Sequence, residues 1–296
     1  MKFVAVEVLK DLKPLHFRIL QAVEWGMRFS EYSDVEEIAK RVNLHLEKLL
    51  HNLDFLHKKQ LVERWSGDYI GYRLTFHGYD CLALNALYER RVIESIGLPR
   101  GLGKESNVYY ALSFDGEEVL LKIHRIMYTS FSQVRKKREY TSDKHHISEL
   151  YASRISAETE FKHMKKLYDV DAPIPRPIDQ NRHMIVMEQI PGVELFKAKI
   201  KDPSVILEQI VDFMAIAWQK AHLVHGDLSE HNVLVLPNQT IKVIDFPQAV
   251  PSNHKTAEEL LRRDVKNIND YFQRKFRIGY DEEEVISYIK GETNKI

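Results

Sequence analysis

Near the start of the chain, apolar residues recur at spacings of three and four, the mark of helices that turn one face to a core. Leu15 to Met27 reads as such a helix, and Pro14 suits its first turn, where no N–H is needed. Ser33 is the expected N-cap of DVEEIAKRV, with Glu36 three positions on completing a capping box. After Asn43 a longer helix runs through LHLEKLLHNLDFLHKKQ, with Leu46, Leu49, Leu50, Leu53 and Leu56 as its core stripe. LVERW and YIGYRLT then read as two strands joined by Ser66-Gly67-Asp68, a hairpin turn. Helix, turn, longer helix and hairpin is the order of a winged helix-turn-helix, assigned to residues 1–91.

From about Ile96 the texture changes, and short β-branched strands alternate with Gly-rich turns and helices. The segments GLGKESNVYYAL and EEVLLKIHR read as strands, and ISELYASRISAETEFKHMKKLY as a helix. Its stripe Leu150, Ser153, Ala157, Met164 and Leu167 is interrupted by Glu160, while Glu158 falls off it. The class is α+β.

Composition narrows what such a chain does. Lys+Arg and Asp+Glu each number 43 in 296 residues, and 44% of residues are hydrophobic, which excludes disorder throughout. A net charge of zero argues against a binder steered to nucleic acid by bulk charge. Residues 1–90 are also neutral, with 13 basic and 13 acidic side chains. Lys48, Lys58 and Lys59 are offset by Glu47 and Asp54 on the longer helix, so nucleic-acid contact and protein docking both stay open for the winged helix. Cys81 stands alone, so no disulfide forms within the chain. No apolar run approaches the roughly 20 residues of a membrane span. Glu7 and Lys10 break the first apolar stretch, so no signal peptide or membrane partner is expected, and the location expected is cytoplasmic.

The candidate chemistry is phosphate handling. Gly101, Gly103 and Val108 fit the loop pattern G-x-G-x-x-G-x-V, with Ser106 in place of the third glycine. Absent side chains let backbone N–H groups approach phosphates, although a plain Gly-rich hairpin turn has the same look. Lys122 lies between Leu121 and Ile123, where an ammonium needs anions to offset its desolvation. Nucleotide phosphates and one carboxylate, Glu160, would serve; a water-facing lysine and a glutamate at the stripe's margin are the alternatives. HMIVM leads into Glu188-Gln189-Ile190, whose backbone suits adenine with Met187 behind the base, or a plain linker.

The most specific segment is LVHGDLSEHNVLVLPNQTIKVIDFPQ. Asn232 follows Asp227 by five positions, and a turn at Pro237-Asn238-Gln239 between VLVL and IKVID brings the loop of Asp245 to the same edge. One carboxylate, Asp227, can orient an attacking group and take its proton. An amide oxygen and a second carboxylate, Asn232 and Asp245, can hold Mg²⁺ against phosphates.

With these residues in view, the chain resembles the RIO family of atypical protein kinases in its second, winged-helix branch. The resemblance rests on GLGKES, HGDLSEHN, IDFPQ and RRDVKNI behind a winged helix and covers nearly the whole chain. It implies a minimal two-lobed protein-kinase-like domain after the winged helix, with an antiparallel sheet plus helix over 92–190 and a truncated, mostly helical lobe over 191–296. It also implies ATP-dependent Ser/Thr kinase or ATPase activity, in maturation of a small ribosomal subunit precursor with its rRNA and ribosomal proteins. By matching positions Gly101, Gly103, Lys104, Glu105, Ser106, Val108 and Lys122 serve the nucleotide, and Asp227 is the catalytic aspartate. The resemblance also implies that Asn232 and Asp245 bind Mg²⁺ or Mn²⁺ and that Asp245 can become transiently phosphorylated.

Departures from ordinary protein kinases accompany the resemblance. Gly226 replaces the arginine between His and Asp, Ser229 replaces a lysine that reaches the γ-phosphate, and Pro247 replaces the glycine of DFG. With 51 residues after Asp245, poor peptide-kinase turnover is expected. The stretch 128–147 reads as a basic flexible loop that orders on RNA or an acidic partner and offers serines for autophosphorylation; residues 129–146 carry five Lys/Arg and two Asp/Glu. Two other readings share the motifs. One is a small-molecule phosphotransferase of the aminoglycoside or choline kinase type, and the other is a ribosome-docking factor timed by its nucleotide.

Overall fold

A computed structural model describes residues 4–103, 105–126 and 149–293, which fall into two units. The first comprises Met1–Ile155 with Asp179–Met184, the second Ser156–Ile178 with Ile185–Ile296.

In the first unit, α1 (Val4–Leu9) and α2 (Pro14–Gly26) precede a short strand β1 (Ser33–Asp34) and α3 (Val35–Val42). Asp34, not Ser33, caps α3: its carboxylate accepts from the Glu36 N–H at 2.7 Å. Ser33 is committed elsewhere, because it is buried, pairs with Tyr72, and donates its hydroxyl to the Val23 carbonyl at 2.7 Å. Asn43 ends α3 in the left-handed conformation that Asn tolerates.

The longer helix, α4 (Leu46–Lys58), buries Leu49, Leu53 and Leu56. Leu46 is 43% exposed and Leu50 half-buried, contrary to the core stripe read from the sequence; α4 starts at Leu46, and Glu47 and Lys48 beside it are exposed as well. The wing pairs β2 (Val62–Ser66) with β3 (Ile70–Leu74), and β1 adds to the other edge of β3.

A further helix, α5 (Phe76–Glu89), follows the wing, with Thr75 Oγ1 accepting from the Gly78 N–H. The sheet beyond it runs β4 (Ser95–Leu102), β5 (Ser106–Leu112) and β6 (Glu118–His124), antiparallel throughout. The His124 N–H donates to the His183 carbonyl, which lays residues 179–184 beside the end of β6.

Helix α6 (Glu149–Tyr168) and the neighbouring strands β7 (Pro177–Asn181) and β8 (Met184–Glu188) each run from one unit into the other. The rest of the second unit is β9 (Val193–Glu194), α7 (Pro203–Gln219), β10 (Leu223–Val224), β11 (Val233–Val235), β12 (Ile241–Val243), β13 (Val250–Pro251), α8 (Ala257–Phe276) and α9 (Glu282–Lys290). β11 lies between β12 and β9, and β10 pairs with β13. Phe213, Phe246 and Phe272 are the largest side chains fully buried here, so the core reaches the residue beside Asp245. Among the described residues, no helix is long and apolar enough to cross a membrane.

Candidate active site

The hairpin of β11 and β12 sets the geometry of the second unit's polar loops. Val233 pairs with Val243, so the residues just outside the pair, Asn232 and Ile244, face each other, and the Ile244 N–H donates to the Asn232 carbonyl at 2.9 Å. Asp245 therefore follows Asn232's partner by one residue. The Asn232 side-chain amide donates to the Asp227 carbonyl at 2.8 Å, which ties the loop of Asp227 to the same end. Spending its NH₂ in this way turns the amide oxygen of Asn232 into the atom left for a cation.

His225 joins these loops from beneath. Its Nε2–H donates to the Ile244 carbonyl at 3.1 Å, which makes Nδ1 the acceptor for the Asp227 N–H at 3.3 Å. The His225 ring also packs against Phe246.

Asp264 on α8 holds the loop of Asp227, although the motifs gave it no role. It is 1% exposed and accepts two backbone N–H groups, Gly226 at 2.7 Å and Leu228 at 2.9 Å, on either side of Asp227. Burial pushes its carboxyl pKa up, and the two backbone donors and nearby His225 and Arg263 pull it back. Arg263 donates to the Gly226 carbonyl, and Asn267 to that of Leu228 at 3.2 Å. One face of α8 thus clamps the loop through its backbone.

The same loop explains Gly226. Its φ is +75°, and an added Cβ would lie 2.7 Å from the Gln248 carbonyl oxygen, so an arginine has no place there. Asp245 adopts φ +72°, a left-handed conformation that costs any side-chain-bearing residue some strain.

Glu160 on α6 is 1% exposed, and its Oε1 accepts from the Phe246 N–H at 3.0 Å, so it braces the backbone just after Asp245. The stripe residues around it, Leu150, Ser153, Ala157, Met164 and Leu167, are all buried. In the hinge segment Met187 and Ile190 are buried. The Glu188 N–H donates to the Arg176 carbonyl at 2.9 Å. That bond commits the Glu188 N–H within the protein.

In the first unit Lys122 lies on β6 opposite Val108, 5% exposed, so the ammonium is not turned to water. The Gly-rich turn is closed by the Gly103 N–H donating to the Ser106 carbonyl at 2.9 Å. A Cβ at Gly101 would meet nothing within 4 Å, so this backbone is open on its missing side-chain face, as a phosphate cradle requires. Glu105 is exposed at the turn. Lys104 and the basic stretch 128–147, with its candidate phosphorylation serines, lie outside the described residues.

Two oxygen donors, the Asn232 amide and the Asp245 carboxylate, fit Mg²⁺, which binds through one or two protein groups and completes its shell with phosphates and water. Among the described residues no three His, Cys, Asp or Glu side chains gather as a metal-holding group.

Comparison with known proteins places the chain in a family. The RIO domain family matches residues 107–285, and the family Rio2, N-terminal matches residues 9–90. The RIO-type serine/threonine-protein kinase Rio2 of Methanocaldococcus jannaschii is 37% identical over 268 residues, 88% of this chain and 96% of the relative. The serine/threonine-protein kinase rio2 of Dictyostelium discoideum is 37% identical over 91% of this chain, which spans 52% of that relative's length. A crystal structure of the Rio2 kinase–ADP/Mg²⁺–phosphoaspartate complex from Chaetomium thermophilum superposes with a TM-score of 0.81 at 29% identity, covering 98% of this chain and 90% of that one.

Proposed function

The chain belongs to the RIO kinases, in their Rio2 branch, and from that premise we propose that it is a Mg²⁺-dependent ATPase and serine/threonine kinase acting in small ribosomal subunit maturation. The observation that carries the proposal is the gathering of Asp227, Asn232 and Asp245 at one end of the β11–β12 hairpin.

In this reading Lys122 and the backbone of the Gly101–Ser106 turn neutralise and hold the phosphates, with Val108 behind them on β5. Met187, the Glu188 carbonyl and the Ile190 backbone receive adenine. Asp227 orients the attacking hydroxyl or water and accepts its proton. Asn232 and Asp245 hold the cation, which supplies charge neutralisation on the phosphate oxygens as the terminal P–O bond breaks. In the same reading Asp245 is also the attacking carboxylate. The γ-phosphoryl group then passes to a carboxylate oxygen, ADP leaves, and water later splits the acyl phosphate to inorganic phosphate. A phosphoaspartate in the Chaetomium relative supports that branch.

Ser229 and Gly226, where a peptide kinase would carry Lys and Arg, favour a second output in which hydrolysis times release from the ribosomal particle. Turnover of [γ-³²P]ATP with purified small-subunit precursors separates the outputs. Labelled ribosomal protein supports the kinase, and phosphate release with the label confined to this chain supports the timed switch. Transfer to an aminoglycoside or choline, with neither of the other results, would overturn both in favour of a small-molecule phosphotransferase. The winged helix and the stretch 128–147 are the proposed contacts with the particle. Deleting Arg135–Arg138 with no loss of particle affinity would remove the second contact.

A further inference from the structure

Buried charge is concentrated at one point of the first unit. Asp80 on α5 is fully buried in a helix otherwise lined by Tyr79, Cys81, Leu82, Ala83 and Leu84. Its two carboxylate oxygens accept from Arg125 Nη2 at 2.7 and 2.6 Å, and one also meets His183 Nε2 at 2.7 Å. Arg125 lies just past the end of β6, three residues after Lys122, and its guanidinium covers the Phe76 ring at 4.8 Å. Its backbone N–H donates to the Glu105 carbonyl at 2.7 Å, in the Gly-rich turn itself.

One residue therefore has a foot in each place. Its side chain is anchored in a helix that follows the wing, and its main chain holds the turn that closes with the Gly103–Ser106 hydrogen bond. A buried ion pair contributes little net stability against a well-packed apolar pair, because desolvation consumes most of the Coulomb gain. What such a pair supplies is a fixed position, since a forked guanidinium and a carboxylate accept few relative geometries.

We propose that Asp80 and Arg125 are positioning residues for nucleotide phosphates: α5 sets the Gly-rich turn through the Arg125 main chain. The proposal rests on the nucleotide reading above and extends it to the winged-helix side of the molecule.

The test is isothermal titration of the full-length chain with MgATP and, separately, with adenosine, which lacks phosphates. In Asp80→Asn the MgATP affinity falls about tenfold while the adenosine affinity holds, the range expected for a position-coupled contact. If Asp80→Asn fails to fold because Arg125 is left unpaired, the double variant Asp80→Leu/Arg125→Met removes both charges. It regains thermal stability while its ratio of MgATP to adenosine affinity stays about tenfold below wild type. A wild-type ratio in Asp80→Asn would overturn the proposal. So would a ratio that recovers with melting temperature in the double variant, since that is how a merely structural pair behaves. Wild-type protein that binds adenosine but not MgATP would instead overturn the phosphate reading itself, and this proposal with it.

Discussion

Two buried aspartates, one in each unit, solve the same problem in different ways. Asp264 satisfies its oxygens with the backbone N–H groups of Gly226 and Leu228, whereas Asp80 satisfies its own with the side chains of Arg125 and His183. Backbone donors are neutral and belong to one loop, so Asp264 shapes that loop and pays for its burial with a raised pKa. Side-chain donors come from distant segments, so Asp80 joins α5 to β6 and to residues 179–184. There the burial is visible on the partner: His183 is pushed down to about 4 by desolvation, which outweighs the raising effect of Asp80. An aspartate beneath a loop fixes its shape; an aspartate between elements fixes their relation.

Substitutions can break this contrast. The largest effect belongs to the loop that Asp264 holds: Asp227→Ala lowers the rate of phosphate release by about a thousandfold or more, the scale of a lost general base. Asp264→Asn comes next. Its NH₂ must face one of two backbone N–H groups, so the loop shifts and kcat falls about a hundredfold, with nucleotide affinity nearly unchanged. An equal loss of affinity would show that Asp264 supports the whole unit and not the loop alone.

A pH titration sharpens the other half. His183 has a folded pKa of about 4 against 6.5 for an ordinary histidine, so between these values the unfolded chain binds the additional proton. Stability is complete above about pH 6.5 and is lost as the pH falls toward 4, by up to about 3 kcal/mol. Melting temperatures followed over that range should lose this slope in His183→Gln. The smallest effect lies outside both clusters. Leu46→Ala at the exposed start of α4 changes stability by less than about 0.5 kcal/mol, against about 2–5 kcal/mol for Leu53→Ala in its core. Chemical denaturation compares the two directly.

The pattern of apolar spacing made much of the fold readable. α2, α4 and the wing stand within two or three residues of their expected bounds, because each combines one clear period with a turn signal at its end. α5 escaped for the opposite reason: FHGYDCLALNALYE is buried on most of its surface, so no polar face marks a helical period. Ser33 misled because a capping residue and a buried strand serine look alike until the Val23 carbonyl is in place. The hairpin that sets Asn232 opposite Ile244, the neighbour of Asp245, is legible in VLVL-PNQT-IKVID, whose turn residues fix the register. Asp264 and Asp80 were not, since a buried carboxylate is recognised by partners 36 to 103 positions away and leaves no local spacing to read.

Three side chains from two loops, Asp227 and Asn232 on one and Asp245 on the other, act on one cation–nucleotide complex in the proposed reading. A crystal structure with Mg²⁺ and a non-hydrolysable ATP analogue tests it most directly. The account predicts a metal ion about 2.1 Å from both the Asn232 amide oxygen and an Asp245 carboxylate oxygen, with the terminal phosphate completing its shell and Asp227 facing that phosphate. A nucleotide bound with its metal away from Asn232 and Asp245, or with Asp227 turned from the phosphate, would contradict it.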